Sequence, residues 1–452
     1  MNLRTQPPIP ARGRVRFSIL AMLFVATTVN YADRASLSIA GPGVQAQLGL
    51  SVVAMGYLFS AFGWAYVAAQ IPGGWLLDRY GSRTVYAVSI FTWSALALSQ
   101  GAVGLQSGVA VVIALFVLRL LVGIAEAPAF PANSRIVAAW FPTPERGTAA
   151  AVFNSAQYFA TVAFAPVLAW IAHRFGWQYV YFFMGTVGMT LFTLWLKTVF
   201  SPRQHPRLTH GEIEYIAAAG GQVDMDSGVR GSTPPLRWAH IRQLLSSRML
   251  VGIYIAQYSI TTLTYFFLTW FPIYLVKQRG MSLLTAGFIA TLPAICGFVG
   301  GVLGGMFSDA LLKRGHSLTV ARKSPIVVGM LLSTVIIACN YIRSDYLVVL
   351  FMSLAFFGKG IGALGWAVVA DTSPREMAGL SGALFNTFGN AAAITTPIVI
   401  GYIVARSGSF AGALVFVAAN AVVAVISYLL VVGPIKRLDL SGTRGNLDTV
   451  AL

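Results

Sequence analysis

The sequence predicts an all-α membrane protein, with twelve transmembrane helices in two pseudo-symmetric six-helix bundles. Three observations predict it. The 452 residues are 57% hydrophobic and only 10% charged, with mean hydropathy +0.73; a soluble domain carries about 25% charged residues. Apolar runs of about 20 residues, each long enough to cross a bilayer, recur along the whole chain. Two segments of the second half also echo segments of the first at almost one offset.

The runs lie at 17–40, 52–76, 84–105, 108–131, 147–172 and 177–199, then at 249–276, 284–308, 323–342, 346–370, 378–404 and 410–434. The first follows a basic stretch, but it has no small-residue cleavage site and contains Asp33-Arg34, so it reads as a span and not as a signal peptide. The second closes on Gly74-Trp75-Leu76-Leu77-Asp78-Arg79, and the eighth on Gly305-Met306-Phe307-Ser308-Asp309. The fourth carries Arg119 and Glu126, and the tenth carries Lys359. The fifth is entered through PTPERGTAAAVFN (142–154) and the eleventh through PREMAGLSGALFN (374–386). Asp78 and Asp309 are 231 residues apart, and Asn154 and Asn386 are 232 apart, which marks a duplicated half. Between spans six and seven, 200–247 is polar, with Pro, Gly and mixed charges and room for a short surface helix at 211–220. The expected division is an N-terminal bundle over 1–199, a cytoplasmic linker over 200–247 and a C-terminal bundle over 248–452.

The formal charge of +17 is topological and does not point to nucleic acid. The N-terminus, the even-to-odd loops and the C-terminal tail, counted with Lys197 and Lys323 at the adjoining ends of spans six and nine, hold 23 of the 31 Lys and Arg residues; the opposite loops hold five, Arg174, Lys277, Arg279, Arg343 and Arg406. By the positive-inside rule both termini are cytoplasmic. Cys296 and Cys339 fall in separate spans and read as packing residues, with no metal or disulfide pattern.

Five charges intrude into the apolar runs: Asp33, Arg34, Arg119, Glu126 and Lys359. A Lys or Asp at a helix centre costs roughly 2.5 to 3.5 kcal/mol on insertion scales, so such residues normally face a polar cavity and meet a counter-charge. Three cations and two acids at membrane depth suit movement of an anion and a proton. Asp33 and Arg34 point about 100° apart on one helix. They read either as a proton site beside a substrate-facing cation or as a static pair locking helices. Arg119 and Glu126 stand on one face two turns apart, about 10 Å along the axis and too far for a direct pair. Arg119 is placed to neutralise Asp33. Glu126 precedes Ala127-Pro128-Ala129-Phe130-Pro131, which weakens the helix; it reads as a reversibly protonated acid or as a cap on the broken helix. Lys359 comes 233 residues after Glu126, one residue from its symmetry mate, so it should face the central cavity from the opposite bundle. Tyr31, Tyr66, Gln70, Asn154, Gln157, Tyr265, Trp366 and Asn386 supply hydrogen-bonding groups and aromatic faces of the kind a hydroxylated ligand needs.

GGWLLDRYGSR (73–83), with Asp78, Arg79 and Arg83, suits a charge latch between neighbouring helices. With its partial second copy at Asp309, Lys313 and Arg314 it resembles the loop signature of the major facilitator superfamily. NYADRASLSIA (30–40), residues 55–82, LRLLVGIAEAPAFPANSRIVAAWFP (118–142), residues 145–162, YFFLTWFPIYLV (265–276) and FFGKGIGALGWAVVADTSP (356–374) carry the resemblance further. They look like the anion:cation symporter family, and most like its glucarate/galactarate (aldarate) permeases, from about residue 15 to 437. The resemblance implies proton-coupled uptake of sugar acids through a bacterial inner membrane by a monomer that needs no cofactor besides the proton. It implies Asp33 and Glu126 as proton-coupling acids, Arg34 as a substrate cation and Arg119 as a coupling or substrate cation. It favours Tyr31, Tyr66, Gln157, Trp366 and Asn386 among the neutral groups. Galactonate-type relatives look to have an uncharged residue at Lys359 and a hydroxyl residue at Gly365. An extra cation at Lys359 suits a substrate with a carboxylate at each end, an aldarate; galactonate, a hexuronate or an aromatic acid are the alternatives within the family. An integral-membrane enzyme would need a nucleophile, base or metal constellation, and no such motif appears; His173, His205, His210, His240 and His316 all lie outside the spans. A sensor would need a larger signalling domain than the tail after residue 434.

Overall fold

The computed structural model describes residues 15–106, 108–142, 145–224, 238–374 and 377–438, and every structural statement below concerns these. They form helices α1 (Val15–Leu48), α2 (Val52–Tyr80), α3 (Ser82–Val103), α4 (Val109–Trp140), α5 (Arg146–Phe175) and α6 (Trp177–Thr198). Two short helices follow, α7 (His210–Ala218) and α8 (Trp238–Ser246). The second set is α9 (Arg248–Lys277), α10 (Leu283–Lys313), α11 (Leu318–Asn340), α12 (Asp345–Thr372), α13 (Ala378–Ser407) and α14 (Ala411–Val431). A bilayer core leaves no water for backbone N–H and C=O groups, so apolar runs of this length must bond internally as helices. Eleven of the described helices are long and apolar enough to span. The twelfth, α3, has the length at 22 residues, but four serines and Gln100 make it more polar.

The long helices are not uniform rods. α1 runs eight residues beyond the expected end, through Pro42, and stops where Gly49 takes φ 62°; glycine accepts that left-handed cap without steric cost. α4 breaks at Ala127–Pro128 between segments Val109–Glu126 and Ala129–Trp140. Proline has no N–H to continue the ladder, as the sequence predicts. α12 breaks at 362–364, just after Lys359. α9 and α14 each contain a π turn, at Phe266–Trp270 and Ser427–Val431. His173, one residue past the expected end of span five, sits in the last turn of α5.

Packing groups the chain into two compact units. Unit 1 holds the described residues up to Ser36, from Ala65 to Phe164 and from Arg174 to Asp224. In it α3 and α6 lie against each other around Tyr86, Trp93 and Trp195, the Tyr86 and Trp195 rings 4.4 Å apart. Small residues let membrane helices approach closely; a Cβ on Gly185 would meet Leu98 at 2.6 Å. The helix expected at 211–220 exists as α7, capped by Thr209, but it docks instead of riding free on the surface. Ile216 is buried, Tyr215 donates to Glu145 at 3.1 Å, and Arg16 lies over the Tyr215 ring at 5.1 Å.

Unit 2 holds Leu37–Trp64, Ala165–His173 and the described residues from Trp238 on. It therefore takes in parts of α1, α2 and α5. In it a Cβ on Gly56 would stand 2.7 Å from the Pro397 carbonyl, and one on Gly63 2.8 Å from Ala393. Phe59 meets Trp270 edge-on, and Trp270 donates to Pro397 at 3.2 Å. α12 sits against α10 and α11 through glycines: Gly360 faces Gly297, and Gly358 faces Gly329.

Candidate functional site

In unit 1 the four charges expected at membrane depth form two ion pairs. Arg34 Nε meets Glu126 Oε2 at 2.7 Å, with side-chain exposures of 7% and 0%. Arg119 meets Asp33 at 4.0 Å, and it also donates to the Arg34 carbonyl at 3.4 Å. The pairs interleave: the two neighbours on α1 reach the two α4 residues that stand two turns apart, so neither helix can rotate without breaking both contacts. Two cations and two acids balance, which makes their burial tolerable. The balance is incomplete at the atomic level. Among the described residues neither Asp33 oxygen accepts a hydrogen bond, nor does Glu126 Oε1.

Aromatic faces complete the surroundings. The Arg34 guanidinium lies over Tyr31 at 4.9 Å and over Tyr66 at 4.6 Å, a contact that becomes stronger when water is excluded. Ser89 of α3 donates to the Ala125 carbonyl, which ties α3 to the break behind Glu126. Ser36 binds the Asp33 carbonyl at 2.6 Å. Tyr181 of α6 is fully buried in unit 1; nothing in its apolar run signalled it. Gln157 and Asn154 of α5 turn inward on their own helix, Gln157 donating to the Asn154 carbonyl at 3.1 Å and Asn154 to Ala150 at 2.8 Å.

Unit 2 carries its own polar group. Lys359 is 6% exposed, and its ammonium stands 5.2 Å from the Phe356 ring centroid on the same helix face. That ring packs on Phe267, at the π turn of α9, at 4.4 Å. The burial excludes a side chain that snorkels to a rim. Asn390 donates to the Asn386 side chain at 3.0 Å and accepts from Tyr265 at 3.1 Å. Asn390 escaped the sequence reading, although a second amide one turn after Asn386 in an apolar run was a usable signal. Trp366 is 47% exposed and meets Phe385 edge-on at 5.0 Å. Gly365, just before Trp366, stands close to two side chains. A Cβ there would meet the Phe385 ring at 2.5 Å and Gln257 Oε1 at 2.7 Å.

Asp78 pairs with Arg135 of α4, which also donates to Ser82 at 3.2 Å. Arg79 stacks over Trp75 at 5.1 Å, and Arg83 lies over Phe200 at 4.1 Å and donates to the Leu196 carbonyl. In unit 2 Asp309 is exposed. There Arg322 binds Asp371 at 2.7 Å and Ser308 at 3.0 Å. Arg135, Arg322 and Asp371 were not singled out from the sequence because their partners lie 49 to 57 residues away. No group of three or more His, Cys, Asp or Glu among the described residues is placed to hold a metal.

Comparisons with known proteins bear on this geometry. The chain is 62% identical over 433 residues to the probable galactarate/D-glucarate transporter GudP of Bacillus subtilis (strain 168), covering 96% of this chain and 95% of that one. It is 58% identical over 439 residues to the probable galactarate/D-glucarate transporter GudP of Escherichia coli (strain K12), covering 97% and 98%. Its fold resembles the crystal structure of a D-xylose-proton symporter with TM-score 0.72 at 16% identity, over 93% of this chain and 98% of that one. The pattern described as Major Facilitator Superfamily matches residues 23–339. With that match and those relatives, this multi-pass membrane chain belongs to the Major Facilitator Superfamily.

Proposed function

We propose that the protein is a secondary transporter that couples the entry of protons to uptake of a C6 sugar diacid, galactarate or D-glucarate, by alternating access across a bacterial inner membrane. The observation that carries this reading is the interleaved Arg34–Glu126 and Arg119–Asp33 arrangement. An arriving carboxylate competes with Glu126 for Arg34. The displaced Glu126 is then an uncompensated buried acid, and protonation is the least costly way to neutralise it. Substrate anion and proton thus enter as a set that restores neutrality. Asp33 and Arg119 repeat the same exchange at the neighbouring pair.

The substrate class rests on charge and on the names borne by the relatives. A diacid needs two cations, and the chain offers Arg34 and Lys359, both buried. Tyr31, Tyr66, Gln157, Trp366 and Asn386 are the proposed groups for hydroxyls and C–H faces. The placement of Lys and Arg supports cytoplasmic termini, and a single chain is the proposed working unit. Uptake of labelled galactarate into proteoliposomes tests the coupling. Wild type accumulates it under an inward proton gradient; Glu126→Gln and Asp33→Asn lose accumulation, and at least one retains substrate counterflow. Accumulation by both variants would overturn the assignment of the coupling acids.

A further inference from the structure

At the end of α14 the chain turns back at Gly433, φ 61°, and Pro434. The returning segment is pinned. Ile435 N donates to Thr319 Oγ1 at 2.9 Å, Leu438 N to the Thr372 carbonyl at 2.9 Å, and Arg437 to the Ala370 carbonyl at 3.4 Å. The start of α9 approaches it through Arg248, which donates to the Leu430 carbonyl at 2.8 Å. Between them lies a groove of about 710 Å3. Its apolar wall includes Met249 and Leu430, and its cations are Arg248, Lys436 and Arg437. No acid lines it among the described residues; Asp439 lies outside them. Leu430 is 67% exposed at the end of a spanning helix, where such a surface meets acyl chains.

We propose that this groove binds an anionic glycerophospholipid, its phosphate against Arg248, Lys436 and Arg437 and an acyl chain along Leu430 and Met249. Three cations at the end of an apolar helix, two of them held by bonds to the Leu430 and Ala370 carbonyls, match an anion that carries its own apolar tail. A free phosphate would leave the apolar wall unused, and a zwitterionic lipid would bring a cation into a basic groove. The inference goes beyond the transport reading and uses none of its residues. Its readout needs no substrate, so failure of the proposed coupling leaves it standing.

The test is native mass spectrometry of the purified full chain, titrated with dioleoyl phosphatidylglycerol, dioleoyl phosphatidylcholine or inorganic phosphate. Phosphatidylglycerol adducts are expected first. Each cation contributes about fivefold at a membrane surface, so Lys436→Ala/Arg437→Ala should weaken that binding about 25-fold. Lys313→Ala/Arg314→Ala should not alter it, and Arg437→Lys should preserve it. If the double variant does not purify folded, Lys436→Gln and Arg437→Gln should each cost about fivefold. Equal binding of phosphatidylcholine, displacement of the lipid by phosphate, or wild-type lipid affinity in the variants would overturn the proposal.

Discussion

Removing one partner of the Arg34–Glu126 pair gives the sharpest test of the buried arrangement. Glu126→Gln keeps the side-chain shape but leaves the Arg34 guanidinium charged in place. Breaking a buried pair this way costs about 3–5 kcal/mol, because the remaining charge stays desolvated. The Tyr31 and Tyr66 faces, at 4.9 and 4.6 Å, offset part of that loss. The expected value is therefore at the lower end, about 3 kcal/mol. Arg34→Gln should cost a similar amount by stranding Glu126. The double variant leaves two neutral amides, which can bond to each other. It should cost no more than either single change, a coupling of at least about 3 kcal/mol. The assay is equilibrium unfolding of detergent-purified protein, followed by tryptophan fluorescence, for wild type and the three variants at one pH. Costs that add within about 0.5 kcal/mol would mean that the 2.7 Å contact carries no net interaction, and the exchange of Glu126 for a substrate carboxylate would lose its basis.

Lys359→Asn should weaken galactarate and D-glucarate binding about 10- to 150-fold by loss of one charge-assisted hydrogen bond, and galactonate much less; competition for uptake reads this, and equal loss for all three would make Lys359 structural. Gly63→Ala should destabilise by about 1–3 kcal/mol through overpacking, since its Cβ would stand 2.8 Å from Ala393, while Gly74→Ala, with nothing within 4 Å, should not; thermal unfolding of both variants decides. Burial pushes the Glu212 carboxyl up, opposed by Arg16. A raised acid in the folded state destabilises above its folded pKa and ceases to do so as pH falls through it. Stability should therefore gain on acidification from neutral pH, and Glu212→Gln should flatten that gain; an unchanged pH profile would refute it.

Some of this was legible in the chain itself. A run of 20 apolar residues forces a helix wherever it lies, because an unpaired backbone has no partner in lipid. The spans, the break at Pro128 and the five intruding charges therefore follow from local composition. That Arg119 and Glu126 need partners on other helices was also legible, since two charges two turns apart on α4 cannot pair with each other. Other features depended on the tertiary arrangement. That Glu126 takes Arg34, 92 residues away, depends on how α1 and α4 rotate about their axes, and no local pattern states it. The Tyr31–Arg34–Tyr66 stack, the Tyr265–Asn390–Asn386 chain and the docking of α7 on Glu145 have the same origin. The grouping of Leu37–Trp64 with α13 was equally hidden, because it rests on the shape match of Gly56 and Gly63 with Pro397 and Ala393. Apolarity is a property of each residue and can be read along the chain. Azimuth, depth and close approach are properties of pairs, and only packing decides them.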